Sequence, residues 1–190
     1  MEADRIKWNR RFASEDSFLG ERPSPFLLRE IERIKLLAPG LTALDIASGE
    51  GRNSIFLAQH GFIVTALDIS DVGISKGKMR ATDSGVQIFF RQMDLDGYKF
   101  TEKYDLIINF NFLSRKLITK EVTALNPGGL LLFDTIIGTS KMLAEHNPDY
   151  FLVSGELMQI FSQFDGDILF DEESDLGDVP TARLIFRKAA

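Results

Sequence analysis

Asp45-Ile46-Ala47-Ser48-Gly49-Glu50-Gly51-Arg52-Asn53 is the stretch on which the reading of this chain turns. It comes after a short apolar run, Leu41 to Ile46, and leads into a helical pattern from Asn53 to His60. Strand, glycine turn and helix, in that order, build a ligand pocket at the carboxyl edge of an open α/β sheet. Gly49 and Gly51 allow a tight turn and a close approach with no Cβ in the way. The helix that starts here points free backbone N–H groups toward the same spot. A single glycine loop is a weak signal, so the order of the later motifs along the chain matters more.

Four further apolar runs repeat the punctuation. Phe62–Leu67 ends at Asp68, Val86–Phe90 precedes Met93-Asp94, Tyr104–Ile108 ends at Asn109, and Gly129–Phe133 ends at Asp134. Near-continuous apolar runs suit strands buried on both faces of a parallel sheet. Asp167–Asp171 and Ala182–Arg187 instead alternate, as an antiparallel pair does, with Glu172–Asp178 as an acidic turn between them.

Helical signals fill the gaps. Ser24 caps a helix whose first residue is Pro25 and which stops at Pro39-Gly40. The helix after the glycine loop should turn Ile55, Phe56 and Ala58 inward. Ser70–Asp83 reads as a poorer helix, since Gly73 and Gly77 interrupt it. Only a turn or two fits between Asp94 and Tyr104. Arg115–Leu125 is the next helix, and Ser154–Phe164 a later one, with Ser154 as cap and Leu157, Ile160, Phe161 and Phe164 inward. Residues 1–22 read as a mobile polar segment with scattered aromatics, and Ile136–Pro148 as irregular. Neither repeats nor low-complexity linkers are evident.

Composition bounds the function. At 190 residues the chain is expected to be one domain, 1–190, with 1–38 covering the pocket and 39–190 as core. A net charge of −6 argues against a broad nucleic-acid footprint. With no cysteine, disulfides, thiolate metal sites and cysteine nucleophiles are impossible, and two isolated histidines make no metal site. The charged start Met1-Glu2-Ala3-Asp4-Arg5 does not resemble a secretory signal. No run approaches the ~20 apolar residues of a membrane span. A soluble, cytoplasmic protein is the expectation, as a monomer or homodimer.

The ordered set of motifs resembles the class I S-adenosylmethionine-dependent methyltransferases, and most closely their small tellurite-resistance-type branch. Asp45-x-x-x-Gly49-x-Gly51 is similar to the family's first motif, with Asp68 23 residues later. Asn126-Pro127-Gly128-Gly129 resembles the turn into the fifth strand. Trp8-Asn9-Arg10-Arg11-Phe12, Phe110-Asn111-Phe112-Leu113-Ser114-Arg115, Asn147-Pro148-Asp149-Tyr150 and Gly155-Glu156-Leu157 resemble that branch's own segments. The likeness implies a Rossmann-like α/β fold: a seven-stranded, mostly parallel sheet with a C-terminal antiparallel hairpin and helices on both faces. One departure is Ala47, where many relatives carry glycine. A methyl group is tolerable there at negative φ and costly at positive φ; it is read as a mild variation.

The resemblance also implies roles. S-adenosylmethionine would be the cofactor. Asp45, Ala47, Ser48, Gly49, Gly51 and Asn53 would form its loop, Asp68 with Ile69 would take the ribose hydroxyls, and Met93, Asp94 and Leu95 the adenine. Asn109 would lie near the methionine moiety, and Phe110 or Phe112 near the sulfonium, whose charge an aromatic face attracts by roughly 0.5–2 kcal/mol. Arg11 would pair with the cofactor carboxylate and Trp8 would cover the pocket. Arg115 and His146 are candidates for an anionic acceptor and for a general base. Each has a plainer reading: Asp45 as a solvated strand end, Asp68 as a helix cap, the phenylalanines as core, Arg115 as a helix-face charge. His60 reads as structural.

The expected activity is methyl transfer to a small-molecule acceptor, with no nucleic acid and no membrane as partner. The scarcity of histidine favours a soft or already deprotonated acceptor. A nicotinamide-dependent oxidoreductase shares the strand–glycine–helix–acid pattern, but its third glycine position is Ser54 here and no Tyr-Lys pair is recognisable downstream. A non-catalytic S-adenosylmethionine-binding module is the third reading.

Overall fold

The computed structural model describes residues 2–14, 17–175 and 179–190. Its strands are β1 (Thr42–Ile46), β2 (Ile63–Asp68), β3 (Ile88–Gln92), β4 (Tyr104–Phe110), β5 (Leu125–Ile136), β6 (Gly166–Ser174) and β7 (Thr181–Lys188). They form one seven-stranded sheet in the order β3-β2-β1-β4-β5-β7-β6. β1 with β2, β2 with β3 and β4 with β5 are parallel, whereas β7 is antiparallel to β5 and β6. The helices are α1 (Glu2–Ser14), α2 (Pro25–Leu37), α3 (Arg52–Gln59), α4 (Asp71–Asp83), α5 (Arg115–Ala124), α6 (Ser140–Glu145) and α7 (Glu156–Phe161). The chain divides into two compact units, Met1–Leu36 with Gly40–Lys99, and Leu37–Pro39 with Phe100–Ala190. Among the described residues, no helix is long and apolar enough to cross a membrane.

In the first unit, α2 buries Phe26, Leu27, Ile31 and Ile34. α3 turns Ser54 and Leu57 inward, leaving Ile55, Phe56 and Ala58 half-buried. The rotation comes from Ser54, whose hydroxyl donates to buried Asp45 at 2.6 Å and sets that face toward the strand. α4 is continuous despite Gly73 and Gly77, and the Ser70 hydroxyl caps it by accepting from Gly73 N at 3.0 Å. The two glycines serve close approach instead. A Cβ at Gly73 would meet the Phe12 ring at 3.1 Å and Gly49 O at 3.2 Å; one at Gly77 would meet the Phe90 ring at 2.8 Å and Glu50 O at 3.2 Å. Their lower helix propensity is offset by letting the α4 backbone lie against the glycine loop.

The amino-terminal segment departs from expectation: residues 2–14 are helix. α1 docks through Arg5, Asn9 and Phe12, one helical face. Arg5 and Asn9 donate to Asp71 Oδ1 at 3.1 and 2.8 Å. Ser70 donates to the Asn9 side-chain oxygen at 2.6 Å. Lys76 donates to the Phe12 carbonyl. Only one of those three docking residues is apolar, so hydrophobic periodicity could not reveal the helix.

In the second unit, β4 is buried along its whole length. β5 already starts at Leu125, and Asn126-Pro127-Gly128-Gly129 forms a bulge within it: Tyr104 faces Leu125, yet Leu106 faces Leu130. Gly128 has φ 73, and a Cβ on Gly129 would fall 2.9 Å from Asn126 O. α6 occupies part of the stretch expected to be irregular, capped by Thr139. Gly155, at φ 78, precedes α7 in place of Ser154, whose hydroxyl donates to Glu173 at 2.5 Å. Leu157 and Phe161 are buried, while Ile160 and Phe164 are half-buried. Phe133, Phe164 and Phe186 surround Phe161, with ring centroids 6.1, 5.9 and 5.5 Å away. Of the acidic turn, Glu172–Ser174 extend β6, and residues 176–178 lie outside the described residues.

Candidate cofactor-binding site

The parallel strands β1, β2 and β3 bring Asp45, Asp68 and Met93-Asp94 to one carboxyl edge. Asp68 is the centre of the arrangement. Its Oδ2 accepts from Gly49 N and its Oδ1 from Ser70 N, both at 2.7 Å. The side chain is 6% exposed. Burial pushes its pKa up, and hydrogen bonds from backbone N–H groups, those of Ser70 and Gly49 foremost, pull it back. A carboxylate offers about four acceptor positions, so Asp68 can hold the loop in place and still accept from a ligand hydroxyl.

The loop itself is built on left-handed residues. Ala47, Gly49 and Gly51 have φ 53, 56 and 76. Ala47 is therefore no mild variation, because an L-residue in that region costs roughly 1–2 kcal/mol. Strain of this kind gathers at functional sites. The Ser48 hydroxyl is buried with no hydrogen-bond partner among the described residues, an orphaned polar group at the point where a ligand is expected. Asp45 is 2% exposed. Its pKa rises to about 7, first because of burial, with the Ser54 hydrogen bond opposing and the Asp68 charge adding. Its visible task is to hold α3. Asn53 is also engaged locally, accepting from Ser24 N at 2.8 Å.

Beside Asp68 lies a cleft of about 240 Å³ lined by Glu2, Arg5, Ile69, Gln92, Met93 and Asp94. Ile69 and Met93 give it apolar surface, and Asp94 a carboxylate whose Oδ1 accepts from Asp96 N at 3.1 Å. Leu95 is buried and is not part of the lining. An apolar slot with one carboxylate fits a purine ring that carries an amino group. These residues fit an adenosyl cofactor: spare acceptor capacity on Asp68, an orphaned Ser48 hydroxyl and the slot next to Ile69.

Glu50, inside the loop, was not singled out from sequence. It is buried and sits 3.2 Å from both Lys76 and Arg80, while Phe18 N donates to it at 3.0 Å. Phe12 and Phe90 are the other residues that sequence reasoning missed, packed over Gly49 and Gly51 respectively. Trp8 is half-buried, stacked on Phe12 at 5.8 Å. Arg11 is exposed, with its guanidinium 5.2 Å from the Trp8 ring and 5.7 Å from that of Phe18.

The second unit's candidates are differently placed. Asn109 is fully buried and donates to Glu121 Oε1 at 2.8 Å. Phe110 is buried, and Phe112 half-buried beyond the end of β4. Arg115 forms a two-pronged pair with Glu156, at 2.5 and 2.9 Å, and also donates to the carbonyls of Asp149 and Phe151 at 3.0 and 2.8 Å. It acts as a clamp on residues 149–156. His146 is exposed after α6, its ring 6.2 Å from that of Phe151. His60 bonds the Phe56 carbonyl at 2.8 Å, in keeping with a structural part.

A family model described as a methyltransferase domain matches residues 43–129. A ubiquinone biosynthesis O-methyltransferase of Coxiella burnetii is 30% identical over 119 residues, which cover 60% of this chain and 50% of that protein. The chain spans about half the length of the relatives it matches. Among solved structures, TehB of Haemophilus influenzae superimposes with a TM-score of 0.70 at 22% identity, over 84% of this chain and 61% of that one. The N-methyltransferase NodS of Bradyrhizobium japonicum, in complex with S-adenosylhomocysteine, gives 0.75 at 20% identity, over 98% of both chains. These two likenesses are likenesses of fold. The matched segment and the relatives make this chain similar to methyltransferases, and its strand order gives it their Rossmann-like fold.

Proposed function

We propose that this protein transfers a methyl group from S-adenosylmethionine to a small-molecule acceptor. The observation that carries the reading is Asp68: a buried carboxylate tied to the Gly49 amide, with acceptor capacity left over, beside the Ile69–Met93–Asp94 cleft. Asp68 takes the ribose hydroxyls. Asp94 accepts from the adenine amine between Ile69 and Met93. The Ser48 hydroxyl binds the amino-acid end. When bound, the cofactor supplies an activated methyl on a sulfonium, so little acid–base chemistry is asked of the protein. Its own contribution is orientation and exclusion of water, worth ~7–11 kcal/mol in favourable cases.

The acceptor is read as an oxygen nucleophile that arrives deprotonated, such as a phenolate. The name of the O-methyltransferase relatives supports oxygen. The state of the candidates supports prior deprotonation: the candidate base His146 is exposed, and Arg115, the candidate acceptor contact, is clamped on Glu156. The match of residues 43–129 to a methyltransferase domain speaks against the nicotinamide reading.

Titration calorimetry with S-adenosylhomocysteine tests the cofactor assignment. Native protein should bind, and Asp68→Ala should weaken binding at least about tenfold, the loss of a charge-assisted hydrogen bond. No binding by the native protein at millimolar ligand overturns the proposal. A panel of small phenols, thiols and amines with labelled methyl donor then tests the acceptor, and methylated phenols are the expected product. Tight cofactor binding without turnover on any of them favours the non-catalytic module.

A further inference from the structure

The wall of the base-end cleft that comes from α1 is not accounted for by the family's strand-end residues. Arg5 and Glu2 project from the first turns of that helix into the lining shared with Ile69, Gln92, Met93 and Asp94. Arg5 is held along its edges. Its Nε and Nη2 donate to the two Glu2 oxygens at 3.0 and 2.6 Å, and its Nη1 donates to Asp71 at 3.1 Å. The same Asp71 oxygen takes Asn9, and Asn9 in turn takes Ser70, two residues from Asp68. Hydrogen bonds to a guanidinium lie in its plane, so edges tied in this way leave the faces for stacking. A planar cation pinned at the rim of a slot with apolar Ile69 and Met93 is suited to cover an aromatic ring.

We propose that Arg5 is a cofactor-contact residue: its guanidinium, braced by Glu2 and Asp71, stacks on the purine of the cofactor and makes α1 part of the adenosyl site. The inference rests on the proposed function and deepens it. It assigns the amino-terminal contribution to the Arg5–Asn9–Phe12 face of α1. Asp94 at the same rim favours a purine that presents an amino donor over one that presents a carbonyl.

The test uses the full chain and two ligands, S-adenosylhomocysteine and adenosine. Arg5→Ala and Arg5→Lys are compared by calorimetry with native protein and with Arg10→Ala, an exposed residue of α1 outside the cleft. Trp8, the single tryptophan, stacks on Phe12, so its fluorescence reports whether α1 stays docked. Both Arg5 variants should raise Kd for both ligands by about 3- to 20-fold, the range of a stacked cation, and Arg10→Ala should leave it unchanged. Arg5→Lys keeps a charge for Glu2 and Asp71 but lacks the plane. If Arg5→Ala undocks the helix, as read from Trp8, Arg5→Lys decides alone. Native-like affinity for both ligands in Arg5→Lys, with native protein binding normally, overturns the inference. Failure of native protein to bind either ligand instead overturns the cofactor assignment beneath it.

Discussion

Two buried carboxyl groups, Asp68 in the first unit and Glu121 in the second, sit in opposite surroundings. Asp68 is ringed by backbone N–H groups from a glycine loop and a helix start. Glu121 is fully buried with one amide partner, Asn109. Burial pushes the Glu121 pKa to about 8, with the Asn109 bond opposing only in part. Glu121 Oε2 and Asn109 Oδ1 are both buried without a hydrogen-bond partner among the described residues, and the protonated acid is the form that carries a donor for the Asn109 carbonyl. Donors preorganised around a carboxylate make it an acceptor for ligands. An apolar pocket makes the same chemical group a neutral part of the core.

The sharpest way to break this comparison is the same isosteric change at both sites. Asp68→Asn sets an NH2 group against a backbone N–H. It should cost about 1–3 kcal/mol of stability and more than about tenfold in S-adenosylhomocysteine affinity, read by urea unfolding and calorimetry. Glu121→Gln should leave affinity unchanged. A matching loss of affinity in both variants would erase the distinction.

A pH series sharpens it further. The Glu121 pKa rises from 4.5 to about 8 on folding. Between those values the folded chain keeps a proton that the unfolded chain has released. Stability contributed by this group therefore falls as pH rises from 4.5 to about 8 and is level above that. Glu121→Gln should match native protein near the lower end and exceed it at the upper end. Asp45, raised from 3.8 to about 7, should behave likewise over its own lower window. Asp45→Asn can still accept from Ser54 and should flatten the curve below about pH 7. Equal slopes in native and variant proteins count against both assignments.

The smallest effect is expected at Ala47. Ala47→Gly relieves left-handed strain of roughly 1–2 kcal/mol against a glycine entropy cost of roughly 0.5–1 kcal/mol. A net gain of about 0.5–1 kcal/mol in thermal or urea unfolding should result. A loss would mean that the Ala47 methyl has packing value that its backbone angle hides.

Much of the fold was legible because its strands are short, apolar and each closed by a polar residue. Asp45, Asp68 and Asp94 stand at strand ends, and the parallel register of β1, β2 and β3 aligns them. The first turn of α4 was legible through Ser70. Less legible were positions whose partners are far away in sequence. Trp8 and Arg11 drew attention as an aromatic and a cation, whereas the docking face is Arg5, Asn9 and Phe12. Gly73 and Gly77 read as helix weaknesses because the rings and carbonyls that need their space belong to other elements. Arg115 read as a possible ligand contact because Glu156, its partner, lies 41 residues away.

By itself, then, the order of residues determined the strands, their polar ends, the glycine turn and the family likeness, since those depend on local periodicity and backbone freedom. Tertiary structure alone decided which carboxyl group is ringed by backbone donors and which is sealed in the core with one amide partner, which face of α1 meets the cleft, and that Ala47 is strained. Burial and hydrogen-bond partners set those outcomes, and both are supplied by segments remote along the chain.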